Sequence, residues 1–297
     1  MTTLRNNFAA LMSPGLKTVF FNRYNEKPPQ YENIFNINTS TRQFEVTQGL
    51  TAFGLVPEKP EGRGIQYDDP IQGYNNTYQH LTYALGYRLT AEAYEDDQYK
   101  ILGPKMSKSM GKSCAVTREI LAAAILNNGF GDVGPDGVSL FNSAHPLEAG
   151  GSAGNRPTVP VALSQTSLQT ALTAFRRSVD GRGLLIDLKP KYLIVPPELE
   201  FYARELIGSL LKPDSQNNNI NAVMGSLDIV VLDYLSNPGA WFLATDKEEH
   251  SLQWYNRRAI TWHDATDFDT QDAKYSVDWR SSLGYDDWRG IFGNPGS

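Results

Sequence analysis

The segment from Asp187 to Ile207 constrains the fold more than any other part of the chain. Tyr192-Leu-Ile-Val195 is an apolar, β-branched run with the length of one buried strand. Pro196 and Pro197 then end it, because neither can donate a hydrogen bond to a sheet. Pro197 suits the first turn of a helix, where a missing N–H costs nothing, and Glu198 and Glu200 favour the positive end of the helix dipole. Leu199, Ala203, Leu206 and Leu210 keep helical spacing on one side. The chain must therefore pass directly from a buried strand into a helix. No glycine loop, nucleophile or metal ligand stands at the junction, so it is a piece of architecture in a mixed α+β protein.

The chain has 297 residues, enough to bury a sizeable core. Its net charge of −6 argues against a general nucleic-acid-binding surface, which needs clustered Lys and Arg. Cys114 is the single cysteine, which excludes an intramolecular disulfide and a Cys-based zinc site and fits assembly in a reducing cytoplasm. Met1-Thr-Thr-Leu-Arg-Asn lacks the apolar core of a signal peptide, and no run approaches a membrane span. With 15 Tyr and 5 Trp the chain is rich in the residues that large protein contacts and aromatic cores share.

The pattern along the chain predicts unequal parts. Residues 4–11 form a short helix ended by Pro14-Gly15, and the polar stretch up to about residue 40 has too little periodicity to pack by itself. Phe44 and Val46 alternate with polar residues, and Leu81, Tyr83, Leu85, Tyr87 and Leu89 recur at period two. Between them Pro57-Glu-Lys-Pro-Glu-Gly-Arg-Gly64 forms a charged tip. The two runs read as one long two-stranded arm, marginal in water unless another surface covers it. Residues 95–129 form the longest helix, with Met106, Met110, Cys114, Thr117, Leu121, Ala124 and Asn128 on its inward stripe and Gly103-Pro104 starting or kinking it. Ser164 or Thr166 caps a helix with Leu168, Ala171, Leu172 and Phe175 inward. Strands follow at 227–232, 240–244 and 252–255, and residues 273–291 carry further strand signals.

Catalytic patterns are weak. His145 lies near Ser143, but side chains two apart on a strand, without a positioned third group, are no triad. His80, His250 and His263 lack metal-ligand spacing. The acidic pairs Asp96-Asp97 and Asp286-Asp287 and the run Asp264-Ala-Thr-Asp-Phe-Asp269 have the look of solvated turns, the last without the glycine and terminal Glu of a calcium loop. Gly62-Arg-Gly and Gly181-Arg-Gly are too short for phosphate loops. The sequence offers no catalytic residue, metal site or cofactor site.

Several segments, in order, resemble the major capsid proteins of tailed bacteriophages, particularly the Mu-like major head subunit family. They are Leu140-Phe-Asn-Ser-Ala-His-Pro146, Asn155-Arg-Pro157, Arg176-Arg-Ser-Val-Asp-Gly-Arg-Gly183, Leu188-Lys-Pro-Lys-Tyr-Leu-Ile-Val-Pro-Pro-Glu-Leu-Glu200, Trp241-Phe-Leu-Ala-Thr245 and Asp287-Trp-Arg-Gly290. The likeness is good over residues 90–292; residues 1–90 match in layout more than in sequence.

The resemblance implies the α+β Hong Kong 97-like capsid fold. It places an N-terminal arm at 1–40, an extended-loop hairpin at 41–90, a peripheral domain with the spine helix at 91–185, an axial domain with a central sheet at 186–262, and a return to the peripheral domain at 263–297. The implied function is structural and not enzymatic: self-assembly as hexamers and pentamers into an icosahedral shell around double-stranded DNA, without sequence-specific binding and without a membrane. Scaffolding, portal and decoration proteins are the implied partners, the scaffold as a separate protein, and the virion is the implied location. Candidate intersubunit contacts are Phe53, Lys59, Arg63 and Tyr67 around the tip and Tyr83, Leu85 and Tyr87 on the second arm. An encapsulin-type nanocompartment shell shares the fold and is the alternative. A soluble hydrolase or carbohydrate-binding protein using His145 and nearby acids is a second.

Overall fold

The computed structural model describes residues 7–96, 99–210 and 220–296. In chain order the elements are α1 (Asn7–Tyr24), β1 (Asn36–Thr39), β2 (Phe44–Leu50), β3 (Gln72–Gln79), β4 (Leu81–Leu89), α2 (Ala91–Glu95) and α3 (Tyr99–Asn128). There follow β5 (His145–Pro146), β6 (Ser152–Ala153), α4 (Gln165–Arg176), β7 (Tyr192–Val195), α5 (Glu200–Gly208), β8 (Asp228–Val231), β9 (Trp241–Ala244), β10 (Leu252–Thr266), β11 (Ala273–Tyr285) and β12 (Ile291–Asn294).

The predicted strand–proline–helix junction is present. β7 stops at Pro196, a short 3-10 turn begins with Pro197, and α5 continues from it. Ala203 and Leu206 are buried, while Leu210 lies outside the helix and is exposed. β7 lies inside a four-stranded sheet of order β12-β9-β7-β8, parallel to β8 and antiparallel to β9. Apolar residues cover this sheet on both faces, which explains the unbroken apolar runs of β7 and β9. Alternate side chains serve different cores. Leu193, Val195, Trp241 and Leu243 pack with Leu168 and Phe175 of α4 and Ala203 and Leu206 of α5. Ile194, Phe242 and Ala244 point to the other side, into a core with Leu126 of α3, Phe141, Trp254 and Trp288. Ser164 caps α4 in a reciprocal box with Ser167, so of the two predicted caps Ser164 is the one used.

The second sheet has the order β1-β10-β11-β4. β10 and β11 form a long hairpin, far longer than the predicted 252–255 strand, and α1 and α3 cover one face of it through Leu16, Phe20, Met110, Cys114, Trp262, Tyr275 and Val277. The sequence signal was short because β10 passes through Asn256-Arg-Arg258, a polar stretch with a register shift.

Several expectations are corrected. The helix predicted over 4–11 runs on through Pro14-Gly15 to Tyr24; residues 4–6 lie outside the described residues. Burial of Leu16 and Phe20 against α3 offsets the roughly 1 kcal/mol that an interior glycine costs. The polar stretch to residue 40 also packs: Tyr31, Ile34 and Phe35 enter the main core, and β1 joins the second sheet beside β10. Glu119 of α3 anchors this stretch, accepting the Gln30 N–H at 2.7 Å and the Tyr31 N–H at 3.3 Å.

The predicted arm is two structures rather than one. β2 pairs with β3, not with residues 81–89, and β4 is an edge strand of the second sheet, in register with β11. Both β3 and β4 are extended, and sequence periodicity alone did not separate them at His80. The inward stripe of α3 is rotated as well. Gly103, Ser107, Met110, Gly111, Cys114, Ala122 and Leu126 are buried, while Met106 and Asn128 face out. Small residues face α1 here because its backbone comes close: a Cβ on Gly111 would stand 2.8 Å from the Phe20 carbonyl oxygen.

Packing links the segments of the chain to one another. α4, within the predicted 91–185 peripheral segment, shares its core with α5, and β12, within the predicted 263–297 return, is hydrogen-bonded to β9. The first part of β10 belongs to the second sheet rather than to the 186–262 segment.

Candidate assembly surfaces

The motif histidine, the foremost catalytic candidate in the sequence, is enclosed by the protein. His145 is fully buried, with its ring stacked on Trp288 at 4.3 Å and an interplanar angle of 9°. Asn155 Nδ2 donates to the Leu140 carbonyl at 2.7 Å and the Trp288 carbonyl at 3.2 Å, and its Oδ1 accepts the Asn142 N–H at 3.0 Å. Those backbone groups fix the amide, so His145 Nε2, 3.1 Å from Oδ1, is a donor. The other ring nitrogen, Nδ1, lies 2.5 Å from Asp136 Oδ2. Every polar position of the ring is thus occupied by the protein itself. Nearby, Arg289 donates to Asp287 at 2.9 and 3.1 Å and to the Val179 carbonyl at 2.9 Å, with its guanidinium over Trp288. The 140–146, 155–157, 176–183 and 287–290 segments therefore meet at one buried node, a joint that tethers loops.

The other histidines are structural as well. His80 bridges Ser40 and Ser282 at 3.0 and 2.9 Å; burial holds its pKa below the ordinary value. His263 pairs with Asp278 at 2.8 Å on the surface. Among the described residues no group of His, Cys, Asp and Glu is placed to hold a metal ion.

The exposed apolar surface is concentrated between β2 and β3. Phe53, Leu55, Val56, Ile65 and Tyr67 project there, with Val56 95 % and Tyr67 93 % exposed, and Lys59 and Arg63 stand between them in solvent. The base of this projection is fixed. Thr51 and Ile71 exchange hydrogen bonds at 3.0 and 2.8 Å. Arg182 donates to Asp68 at 2.6 Å and reaches the Asp69 carbonyl. The Gly54 N–H at 2.8 Å, joined by Arg182, holds the Asp68 carboxyl below the usual carboxylate range. Asp180 accepts the Arg182 and Leu184 N–H groups at 2.8 Å each, a turn that aims the arginine. Lower down, Asp286 accepts from Tyr78 at 2.6 Å and from Thr47, and Asn76 donates to the Tyr285 carbonyl at 2.7 Å. Burial and the adjacent Asp286 raise the Tyr78 phenol well above its usual range, so it stays a donor. The result is a ribbon bolted to its own domain with an apolar tip that its own domain leaves uncovered.

The seven candidate contact residues thus fall into two sets. Phe53, Lys59, Arg63 and Tyr67 lie on the projecting tip. Tyr83 stacks on Trp279 at 5.3 Å, and Tyr87 packs on Tyr275 at 5.2 Å with its hydroxyl 2.7 Å from Ser107. Those two are committed to their own sheet, and Leu85 beside them is half-exposed. Sequence reasoning missed Arg182, Asp286 and Asn155. The short Asp180-Gly-Arg-Gly turn was the available signal for the first; the other two depend on contacts 208 and 133 positions away along the chain.

Comparison with known proteins agrees with this architecture. The family described as phage capsid protein matches residues 74–294. The major capsid protein of Escherichia phage Mu is 23 % identical, over 71 % of this chain and 92 % of its own. Among solved structures, the bacteriophage JBD30 capsid aligns with a TM-score of 0.58 at 15 % identity, over 71 % of this chain and 92 % of that one. The capsid of cyanophage P-SCSP1u aligns with a TM-score of 0.58 at 11 % identity, over 91 % and 89 %. With the Hong Kong 97-like fold, a buried motif node and an anchored apolar projection, the chain belongs to the phage capsid protein family and is a structural major capsid subunit.

Proposed function

We propose that copies of this chain assemble as hexamers and pentamers into an icosahedral shell enclosing double-stranded DNA in the virion. The single observation that carries this reading is the projection over residues 51–71: fixed at its base by Arg182, Asp68 and Thr51, and apolar where nothing in its own subunit covers it. Laid on a neighbour, each large apolar side chain there would gain about 2 kcal/mol before ordering costs. Phe53, Lys59, Arg63 and Tyr67 would make that contact, and Leu85 would contribute a lesser one from the second sheet. The projecting part of the 41–90 segment is then residues 44–79, with β4 serving the body of the subunit. Contacts within a ring of subunits are heterologous, so the rest of the subunit must offer a second complementary patch. The role requires no catalysis and no cofactor. Assembly in the host cytoplasm with separate scaffolding, portal and decoration proteins completes the reading, and it fits the one buried cysteine.

Replacement of residues 54–67 by a short Gly-Ser turn tests it. Folded capsomers that no longer close into shells, scored by light scattering and negative-stain microscopy, are the expected result. Normal shells from this variant would refute the loop as the clasp between subunits.

A further inference from the structure

Charge is segregated in this molecule. α1 and α3 carry Lys17, Arg23, Lys100, Lys105, Lys108, Lys112 and Arg118 against one acid, Glu119. Seven basic less one acidic residue gives +6 within a chain of net −6, so all other residues together sum to −12. Elsewhere most of the described lysines are engaged, Lys191 with Asp246, Lys189 with Asp187, Lys274 with Asp267 and Lys247 with the Glu32 carbonyl, while Lys59 is exposed at the ribbon tip. On the helical face Lys17, Lys27, Lys105, Lys108 and Lys112 are exposed and make no ion pair among the described residues.

The placement is ordered. Lys105, Lys108 and Lys112 step by three and four residues, which puts them on one side of α3. α1 and the sheet cover other sides through Gly103, Gly111 and Cys114. Lys108 and Lys112 share a groove with Val19, Asn22, Arg23 and Glu26, where Arg23 is tied to Glu26. Lys27 and Lys112 both line the adjoining cleft, together with Glu26, Glu32, Glu119 and Asp233. The three α3 lysines span about 10 Å of helix axis, over which a DNA duplex presents about six phosphate charges.

We propose that the α1–α3 face contacts the phosphate backbone of duplex DNA and is the side of the subunit turned toward the packaged genome. This rests on the reading of the chain as a DNA-enclosing shell subunit. The chemistry suits a sequence-independent contact. Unpaired ammonium groups on long flexible stems neutralise phosphate without reading bases, and the forked arginines that read guanine are engaged elsewhere, Arg118 with Tyr24, Tyr31 and Trp254. An acidic peptide is the less suited occupant. Such a partner needs buried apolar anchors, and the groove offers only Val19. The acidity of the remaining surface confines the attraction to this face and keeps it weak enough for the genome to move.

The test is a titration of the purified full-length protein with fluorescein-labelled 30-base-pair duplexes of two unrelated sequences, at 50 and 200 mM salt. Equal binding of both, falling steeply with salt, is expected. Lys105→Gln/Lys108→Gln/Lys112→Gln should lower the slope of log affinity against log salt by about three and weaken binding at 50 mM roughly tenfold or more. The charge-matched variant Arg177→Gln/Lys189→Gln/Lys274→Gln should bind as the parent does. The inference is overturned by no binding, by an unaffected α3 variant, or by a poly-glutamate peptide that displaces DNA at equal charge concentration. Shell formation and nucleic-acid content are scored separately by microscopy and absorbance. DNA binding without shells would refute the shell reading and leave this face as assigned, whereas DNA-filled shells with an unaffected α3 variant would refute this inference alone.

Discussion

At the scale of single residues, the most constrained atoms are those of Asn155 and His145. Asn155 satisfies two carbonyls, one N–H and the imidazole from a buried position, so Asn155→Ala strands four groups at once. A loss of about 3 kcal/mol or more is expected, read as a shift in the urea midpoint. Arg182→Ala should barely change that midpoint, because the arginine holds an exposed loop. Its effect should appear as faster amide exchange across residues 52–69 and slower shell closure. His250 contributes a pH dependence of its own. Burial pushes its pKa down to about 4. Above pH 6.5 neither folded nor unfolded chain takes up a proton there, so stability is flat. Between about pH 6.5 and 4 only the unfolded chain does, and stability falls by up to about 3 kcal/mol. Urea midpoints at pH 7 and 4.5 should therefore differ less in His250→Asn than in the parent protein.

At the scale of elements, legibility followed the source of the signal. β7, β9, α4 and α5 were readable because their patterning is local: apolar runs bounded by prolines, a serine cap, leucines at helical spacing. The rotated stripe of α3 was not, because its closest contact uses Gly103 and Gly111, residues that carry no hydrophobic signal but let α1 approach. Gly111→Val should accordingly cost several kcal/mol, since the obstructing atom is the Phe20 carbonyl oxygen, part of a helix backbone that cannot swing aside. Gly15→Ala, with nothing within 4 Å of the added methyl, should be neutral or slightly stabilising. The apolar strand 81–89 was found but assigned to the wrong partner. Its register with β11, nearly 200 residues later, leaves no local mark. The buried node was visible only as a set of motif words, and their meeting through Asn155 and Arg289 is a property of the folded chain.

At the scale of the whole molecule, the central sheet is decisive. β7 and β9 each face two cores, so Trp241→Ala opens a void next to Phe292 in one while unsettling Phe242 and Ala244 in the other. A loss of about 3–5 kcal/mol and insoluble protein on expression are expected. That shared sheet also has a mechanical consequence. Among the described residues the two cores are joined through side chains of the same strands, β7 and β9, which couples the halves of the subunit to one sheet. In the proposed shell, five-fold and six-fold rings would demand different tilts between neighbours, and a subunit built around one shared sheet would take up the difference at its borders. The anchored ribbon, rigid at its root and unsupported at its end, is where such a shell would bend.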